Sequence, residues 1–163
     1  MRKLLLYIAF VANFSCHPRK DQIYLKSISD LPEFTLSNVD GSGCLKSSDV
    51  RKGKSSIFIY FSPDCEHCQN VTKKIVSNID RLRSCNIYWV SSDTTAAVKT
   101  FSTNNHLDML SNVFVGMDNK YSFYIKYLPP GTPYIMVYNK ERKLVRVYSG
   151  ETDINSLVYS TQE

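Results

Sequence analysis

An apolar run, Ile57-Phe58-Ile59-Tyr60-Phe61, gives way after three residues to Cys65-Glu66-His67-Cys68, and Val71, Ile75, Ile79 and Leu82 then recur at helical spacing. The run reads as a buried strand, and the recurrence as the apolar face of a helix over about 65–84. A strand that delivers two cysteines to the head of a helix constrains the fold narrowly. It requires a sheet layered against helices, with both thiols at the carboxyl end of one strand. At positions i and i+3 the two sulfurs lie close enough to form a short disulfide ring. The first also sits at a helix N-terminus, where unpaired N–H groups favour thiolate over thiol. Thiolate is the species that attacks disulfides, so Cys65 and Cys68 read as a redox pair.

The rest of the chain alternates in the same way. Phe34–Leu36 and Cys44–Lys46 flank the turn signal Asp40-Gly41, which predicts an N-terminal β-hairpin. Asn86–Val90 reads as a second buried strand, residues 94–104 as a helix starting near Thr94, Asn112–Val115 as a short strand and Lys120–Tyr127 as a short aromatic helix. Leu128-Pro129-Pro130-Gly131-Thr132-Pro133 interrupts the pattern. Tyr134–Tyr138 and Leu144–Tyr148 follow as a hairpin, and Asp153–Tyr159 as a closing helix. Alternating elements that end in a hairpin predict an α/β sandwich with a mixed sheet.

The 163 residues suffice for one core. Arg2 and Lys3 precede the apolar stretch Leu4–Val11, the pattern of an export signal. Ser15-Cys16 directly after it resembles a bacterial lipobox, in which the cysteine is lipidated, although Asn13 and Phe14 depart from the usual residues. The alternative is ordinary signal cleavage nearby, with Cys16 as a stray thiol. Residues 1–16 are therefore read as a signal segment with a lipobox cysteine, 17–30 as a polar tether, and 31–163 as the folded domain. The expected location is periplasmic or cell-envelope, held by a lipid anchor. Losing residues 1–15 removes two basic residues and no acidic one, so the net charge falls from +5 to +3. That is too mild to argue for nucleic acid, and the basic cluster Lys140, Arg142, Lys143, Arg146 reads as a solvated hairpin.

Together these segments resemble the thioredoxin superfamily, in its exported TlpA/ResA-type branch. The resemblance rests on Leu31-Pro32-Glu33-Phe34 with Asp40-Gly41, on Gly53-Lys54 before the strand into Ser62-Pro63-Asp64-Cys65-Glu66-His67-Cys68, on Val90-Ser91-Ser92-Asp93, and on Gly131-Thr132-Pro133 before a terminal hairpin with Gly150. It covers roughly residues 31–160. It implies a thioredoxin-like sandwich, a mixed central sheet flanked by helices with an N-terminal β-hairpin. The 68-residue separation of Cys65 and Pro133 leaves room for the strand–helix insertion of that branch. It further implies a cis Thr132–Pro133 peptide beside the disulfide, with backbone on which a substrate strand can pair.

The implied activity is extracytoplasmic thiol–disulfide exchange with protein clients, assisted by a membrane-bound redox partner and needing no cofactor or metal. Cys65 is then the nucleophile and Cys68 the resolving thiol. Glu66 and His67 tune the pair in opposite directions. Thioredoxin has a buried Asp where this chain has Ile59, so Glu66, Asp118 or water is left to handle the Cys68 proton. It also has a Trp where this chain has Asp64, which reads equally as a helix N-cap. Tyr121, Phe123, Tyr124, Tyr127 and Tyr134 read either as a substrate groove or as core. Cys44 and Cys85 read either as a structural disulfide or as two separate buried thiols. Two other chemistries stay open. Ser62 stands three residues before Cys65, as a peroxiredoxin-like peroxidase wants. Cys65, Cys68 and His67 or His106 are candidate ligands for copper or zinc.

Overall fold

The computed structural model describes residues 20–163; the signal segment and Cys16 lie outside them. Seven strands form one mixed sheet: β1 (Thr35–Asn38), β2 (Cys44–Lys46), β3 (Ser56–Tyr60), β4 (Asn86–Ser91), β5 (Val113–Met117), β6 (Tyr134–Tyr138) and β7 (Leu144–Ser149). Their spatial order is β2-β1-β5-β4-β3-β6-β7. β3, β4 and β5 run parallel, and β6, β7, β1 and β2 join antiparallel. The helices are α1 (Lys20–Ser27), α2 (Glu66–Ser77), α3 (Thr95–Asn104), α4 (Ser122–Tyr127) and α5 (Ile154–Ser160). This is the expected α/β sandwich, with the predicted N-terminal hairpin and with β5 and α4 inserted before β6.

The central strands carry continuous apolar sequence because both of their faces are covered. Alternate residues belong to different cores. Ile57, Ile59, Phe61, Ile87, Trp89, Ile135 and Val137 pack with Val71 and Ile75 of α2, Val98 and Phe101 of α3, and Leu157 of α5. Phe58, Tyr88, Val90, Met136 and Tyr138 pack on the other face with Phe34, Leu36, Phe123 and Tyr127. That second core is strongly aromatic: Phe58 stacks on Tyr88 at 4.6 Å, and Phe123 lies 4.2 Å from Tyr127. The aromatic residues before and after the Pro-rich loop are therefore divided. Phe123, Tyr127 and Tyr134 are core, whereas Tyr121 and Tyr124 are exposed.

Two expectations change. The helix after β3 ends at Ser77 rather than near 84. Asn78 leaves helical dihedrals and its side-chain amide donates to the Lys74 carbonyl, and a separate 3₁₀ turn spans Ile79–Leu82. Within the segment read as a tether, Lys20–Ser27 is helical and Ile28 is buried, so packing begins before residue 31. Tyr24 secures this segment: its hydroxyl donates to the Tyr127 carbonyl at 2.5 Å and pairs with the Tyr134 hydroxyl at 3.0 Å. Of the two readings for Cys44 and Cys85, separate thiols hold, with Cys85 buried and Cys44 exposed rather than buried. Cys44 pairs with Ser37, Ser37 with Met117, and Met117 with Ser91, which puts Cys44 three strands from β4 and level with its far end. Strand spacing of about 4.8 Å puts the two cysteines beyond disulfide reach.

Tyr24→Phe removes one anchor of α1 without changing its shape. Stability is expected to fall by about 0.5–1.5 kcal/mol, read as a lower urea midpoint at unchanged slope. An unmoved midpoint would mean that α1 is not docked through this tyrosine.

Candidate active site

β3 pairs residue by residue with β4 on one side and β6 on the other, from Ser56 to Tyr60. The Phe61 N–H continues the ladder to the Val90 carbonyl. The chain then turns through Ser62-Pro63-Asp64, closed by Cys65 N–H to the Ser62 carbonyl at 3.2 Å and by the Gln69 side-chain amide to the Pro63 carbonyl at 3.1 Å. α2 begins at once, and its N-cap is Cys65 itself rather than Asp64, which is exposed. The Cys65 sulfur takes the capping role a Ser hydroxyl often plays, accepting the Cys68 N–H at 3.3 Å. Its thiol also donates to the Thr132 carbonyl at 3.4 Å.

Thr132 lies there because Tyr60 and Tyr134 are register partners, which brings the end of β3 and the start of β6 to one edge of the sheet. The Thr132–Pro133 peptide is cis and Pro133 is buried. Cys65, Cys68, Thr132 and Pro133 thus meet at one point. Glu66 and His67 are exposed beside them on the first turn of α2.

The two thiols differ in depth and in acidity. Burial works against ionisation of Cys65. Hydrogen bonds from the Cys68 thiol, the Thr132 side chain and the Cys68 N–H outweigh it, with help from the His67 charge, and the Cys65 pKa lies below that of an ordinary thiol. Cys68 is only 1% exposed. Its burial, reinforced by the hydrogen bond to the Cys65 sulfur, pushes its pKa up to about 12. The outer thiol is the readier of the two to ionise.

Other candidates fall away from this point. Asp118 is buried, and its carboxylate accepts from Ser122 Oγ and from the Phe123 and Tyr124 N–H groups, so it is committed to capping α4. Ile59 packs in the same core as Cys68. His106 follows α3 at the opposite edge of the sheet, because α3 starts where β4 ends and runs back to the start of β5. Among the described residues, no three His, Cys, Asp or Glu side chains converge as a metal-holding group. An open cleft of about 540 Å³ with a mixed lining lies between α2 and α3, bordered by Asp64, Gln69, Lys73, Ala97, Thr100 and Phe101.

Sequence reasoning missed Glu151, in the turn after β7. Its carboxylate accepts from Lys74 Nζ at 2.7 Å, His67 Nδ1 at 2.8 Å and Asn70 Nδ2 at 3.1 Å. The hydrogen bond to Glu151 raises the His67 pKa, and those from Lys74, His67 and Asn70 lower that of Glu151 to about 2. Residues 67, 70 and 74 form an i, i+3, i+7 polar stripe, which is legible in the chain. Their shared acceptor lies 77 to 84 residues further on, and nothing local announces it.

The sequence profile of the AhpC/TSA family matches residues 29–153. No curated protein matches the chain in sequence. Several solved structures share its fold. DsbF of Mycobacterium tuberculosis, described in mixed oxidised and reduced forms, is 14% identical with a TM-score of 0.68, over 83% of this chain and 95% of that one. A secreted M. tuberculosis disulfide oxidoreductase, described as homologous to E. coli DsbE, is 13% identical with a TM-score of 0.68, over 84% and 97%. A peroxiredoxin-like protein from Aquifex aeolicus is 21% identical with a TM-score of 0.66, over 82% and 84%. The fold is thioredoxin-like. Among the described residues, no helix is long and apolar enough to cross a membrane.

At pH 7 a thiol with a pKa near 12 is ionised in only about one molecule in 10⁵. Iodoacetamide is therefore expected to alkylate Cys65 of the reduced protein and spare Cys68, with the Cys65 rate levelling off at a lower pH than for a free thiol. Peptide mass spectrometry reads both sites, and equal labelling would refute the assigned asymmetry.

Proposed function

Since the chain belongs to the AhpC/TSA family, whose match covers most of it, it is a thioredoxin-like redox protein, and we propose that it exchanges disulfides with protein clients outside the cytoplasm through Cys65 and Cys68. The observation that carries this reading is the pairing of an accessible, acidified Cys65 with a buried Cys68 one helical turn away. In the reducing direction, the Cys65 thiolate attacks one sulfur of a client disulfide. A Cys65–client bond forms and the second client sulfur leaves as thiolate. Cys68 then gives up its proton and attacks the Cys65 sulfur. The intramolecular disulfide closes, the client departs with both thiols reduced, and the pair carries the two oxidising equivalents. The oxidising direction is the reverse. The Cys68 proton is the costly one, and Glu66 or water takes it, since Asp118 is engaged elsewhere.

Ser62 is held beside Cys65 through its carbonyl, and Thr132 and Pro133 provide the backbone against which a client strand pairs. Renewal of the reduced pair falls to a membrane-bound redox partner. Residues 1–16 act as the export signal with Cys16 as the lipidated residue, and 17–19 lead into α1. Four residues of chain from Cys16 to Lys20 reach at most about 14 Å, which keeps the domain at the membrane surface. Support for export comes from the secreted M. tuberculosis neighbour and from the leader pattern.

Ser62 three residues before Cys65 and the likeness to the A. aeolicus protein favour a second reading, peroxide reduction at Cys65. One titration separates the two. Equilibration with glutathione is expected to give a reversible Cys65–Cys68 disulfide, abolished by Cys65→Ser. Cys68→Ser is expected to trap a mixed disulfide instead. A midpoint near about −270 mV marks a reductant and one near about −120 mV an oxidant. Failure of the pair to close, with peroxide consumed by Cys65 in the Cys68→Ser protein, would replace the proposal by the peroxidase reading.

A further inference from the structure

Gly150, at φ +85°, turns the chain off β7, and its N–H donates to the Pro133 carbonyl at 2.9 Å. The turn that carries Glu151 is thereby tied to the loop that carries Thr132. From it the Glu151 side chain reaches over the first two turns of α2 to His67, Asn70 and Lys74. His67 lies between the two cysteines, with its side chain 69% exposed. A ring so exposed has no packing to orient it, and Glu151 is the acceptor that holds it.

We propose that Glu151 is a positioning residue of the redox site: its carboxylate fixes the His67 ring through Nδ1, so that the imidazolium form is held beside Cys65. The proposal rests on the reading of Cys65 as the attacking thiol. The groups acting on His67 are Glu151 from the β7–α5 turn, and Cys65 and Glu66 from its own segment. Glu151 in turn faces Lys74 and Asn70. All three acidic groups favour the imidazolium, and Glu151 alone is hydrogen-bonded to it. On the Cys65 side, His67 is the charged residue that favours thiolate. Glu151 therefore acts on the sulfur through the ring. Lys74 Nζ takes one carboxylate oxygen, and the other accepts from the imidazole and from Asn70, so the contact to His67 does not run through Lys74.

A merely structural clamp and an electrostatic one predict different pH profiles. Reduced full-length protein is alkylated with iodoacetamide between pH 5 and 10, and the Cys65 peptide is followed by mass spectrometry. Glu151→Gln is expected to slow Cys65 by about 1.4- to 5-fold near neutrality, the size of an exposed charge interaction. The slowing should vanish at low pH, where the ring is charged in both proteins, and at high pH, where it is neutral in both. In a His67→Gln background, Glu151→Gln should leave the Cys65 profile unmoved. Lys74→Met, which loosens the clamp and leaves the carboxylate on His67, should not reproduce the slowing. A slowing that is uniform with pH, that persists without His67, or that Lys74→Met reproduces would overturn the proposal. These rates concern the reduced thiol alone. A pair that fails to close against glutathione would overturn the functional reading and leave this profile as it is.

Discussion

β3 is hydrogen-bonded along its whole length on both sides and buried on both faces, and the candidate site depends on that fixity. Ser56 to Tyr60 are registered against Asn86 to Val90 and against Tyr138 to Tyr134. A slip of one residue in either ladder would exchange the two cores, sending Ile57 and Ile59 to the aromatic side and Phe58 to the other. The same register sets where Cys65 emerges and which carbonyl it meets. The contact between the Cys65 sulfur and Thr132 is thus a consequence of strand pairing, with no loop contact needed to create it.

Depth does the rest of the chemistry. The two thiols are one helical turn apart, yet one faces solvent and the free N–H groups of α2 while the other points into the core with Val71, Ile75 and Trp89. Desolvation costs the buried thiolate more than the outer one, so a single geometric difference sets the two thiols apart in acidity. His67 and Glu151 refine this division from the surface, where their charges are screened and each is worth little alone. Their value lies in placement. His67 stands between the two cysteines in the chain, and its charge favours the Cys65 thiolate.

Much of this was legible in the chain. Continuous apolar runs at Ile57–Phe61, Asn86–Val90 and Tyr134–Tyr138 marked the central strands, and Thr94, read near the start of α3, caps it by accepting the Ala97 N–H, as Asp153 caps α5 by accepting the Ser156 N–H. The failures have a common cause. Asp64 is a good capping residue, but the turn from β3 puts Cys65 at the N-cap. Asp118 is a plausible proton acceptor by type, yet the folded chain spends its carboxylate on α4. For Cys44 and Cys85 the sequence left a disulfide and separate thiols both open, and the sheet order decides for separation by placing β1 and β5 between β2 and β4. α1 carries no apolar stripe to announce docking, and it docks through Tyr24 hydroxyl contacts to Tyr127 and Tyr134.

Sequence alone marked most of the strands and helices, the mixed sheet and the pair of cysteines, because those rest on interactions within a few residues: apolar runs, helical spacing, and two thiols on one turn. Tertiary structure decided which thiol is acidic, what holds the histidine and which cysteines stay apart. Those outcomes depend on burial depth and on partners some 70 to 110 residues distant, such as Thr132 for Cys65, Glu151 for His67 and Tyr134 for Tyr24. Long-range proximity is set by the order and register of strands, and local propensity carries no record of it.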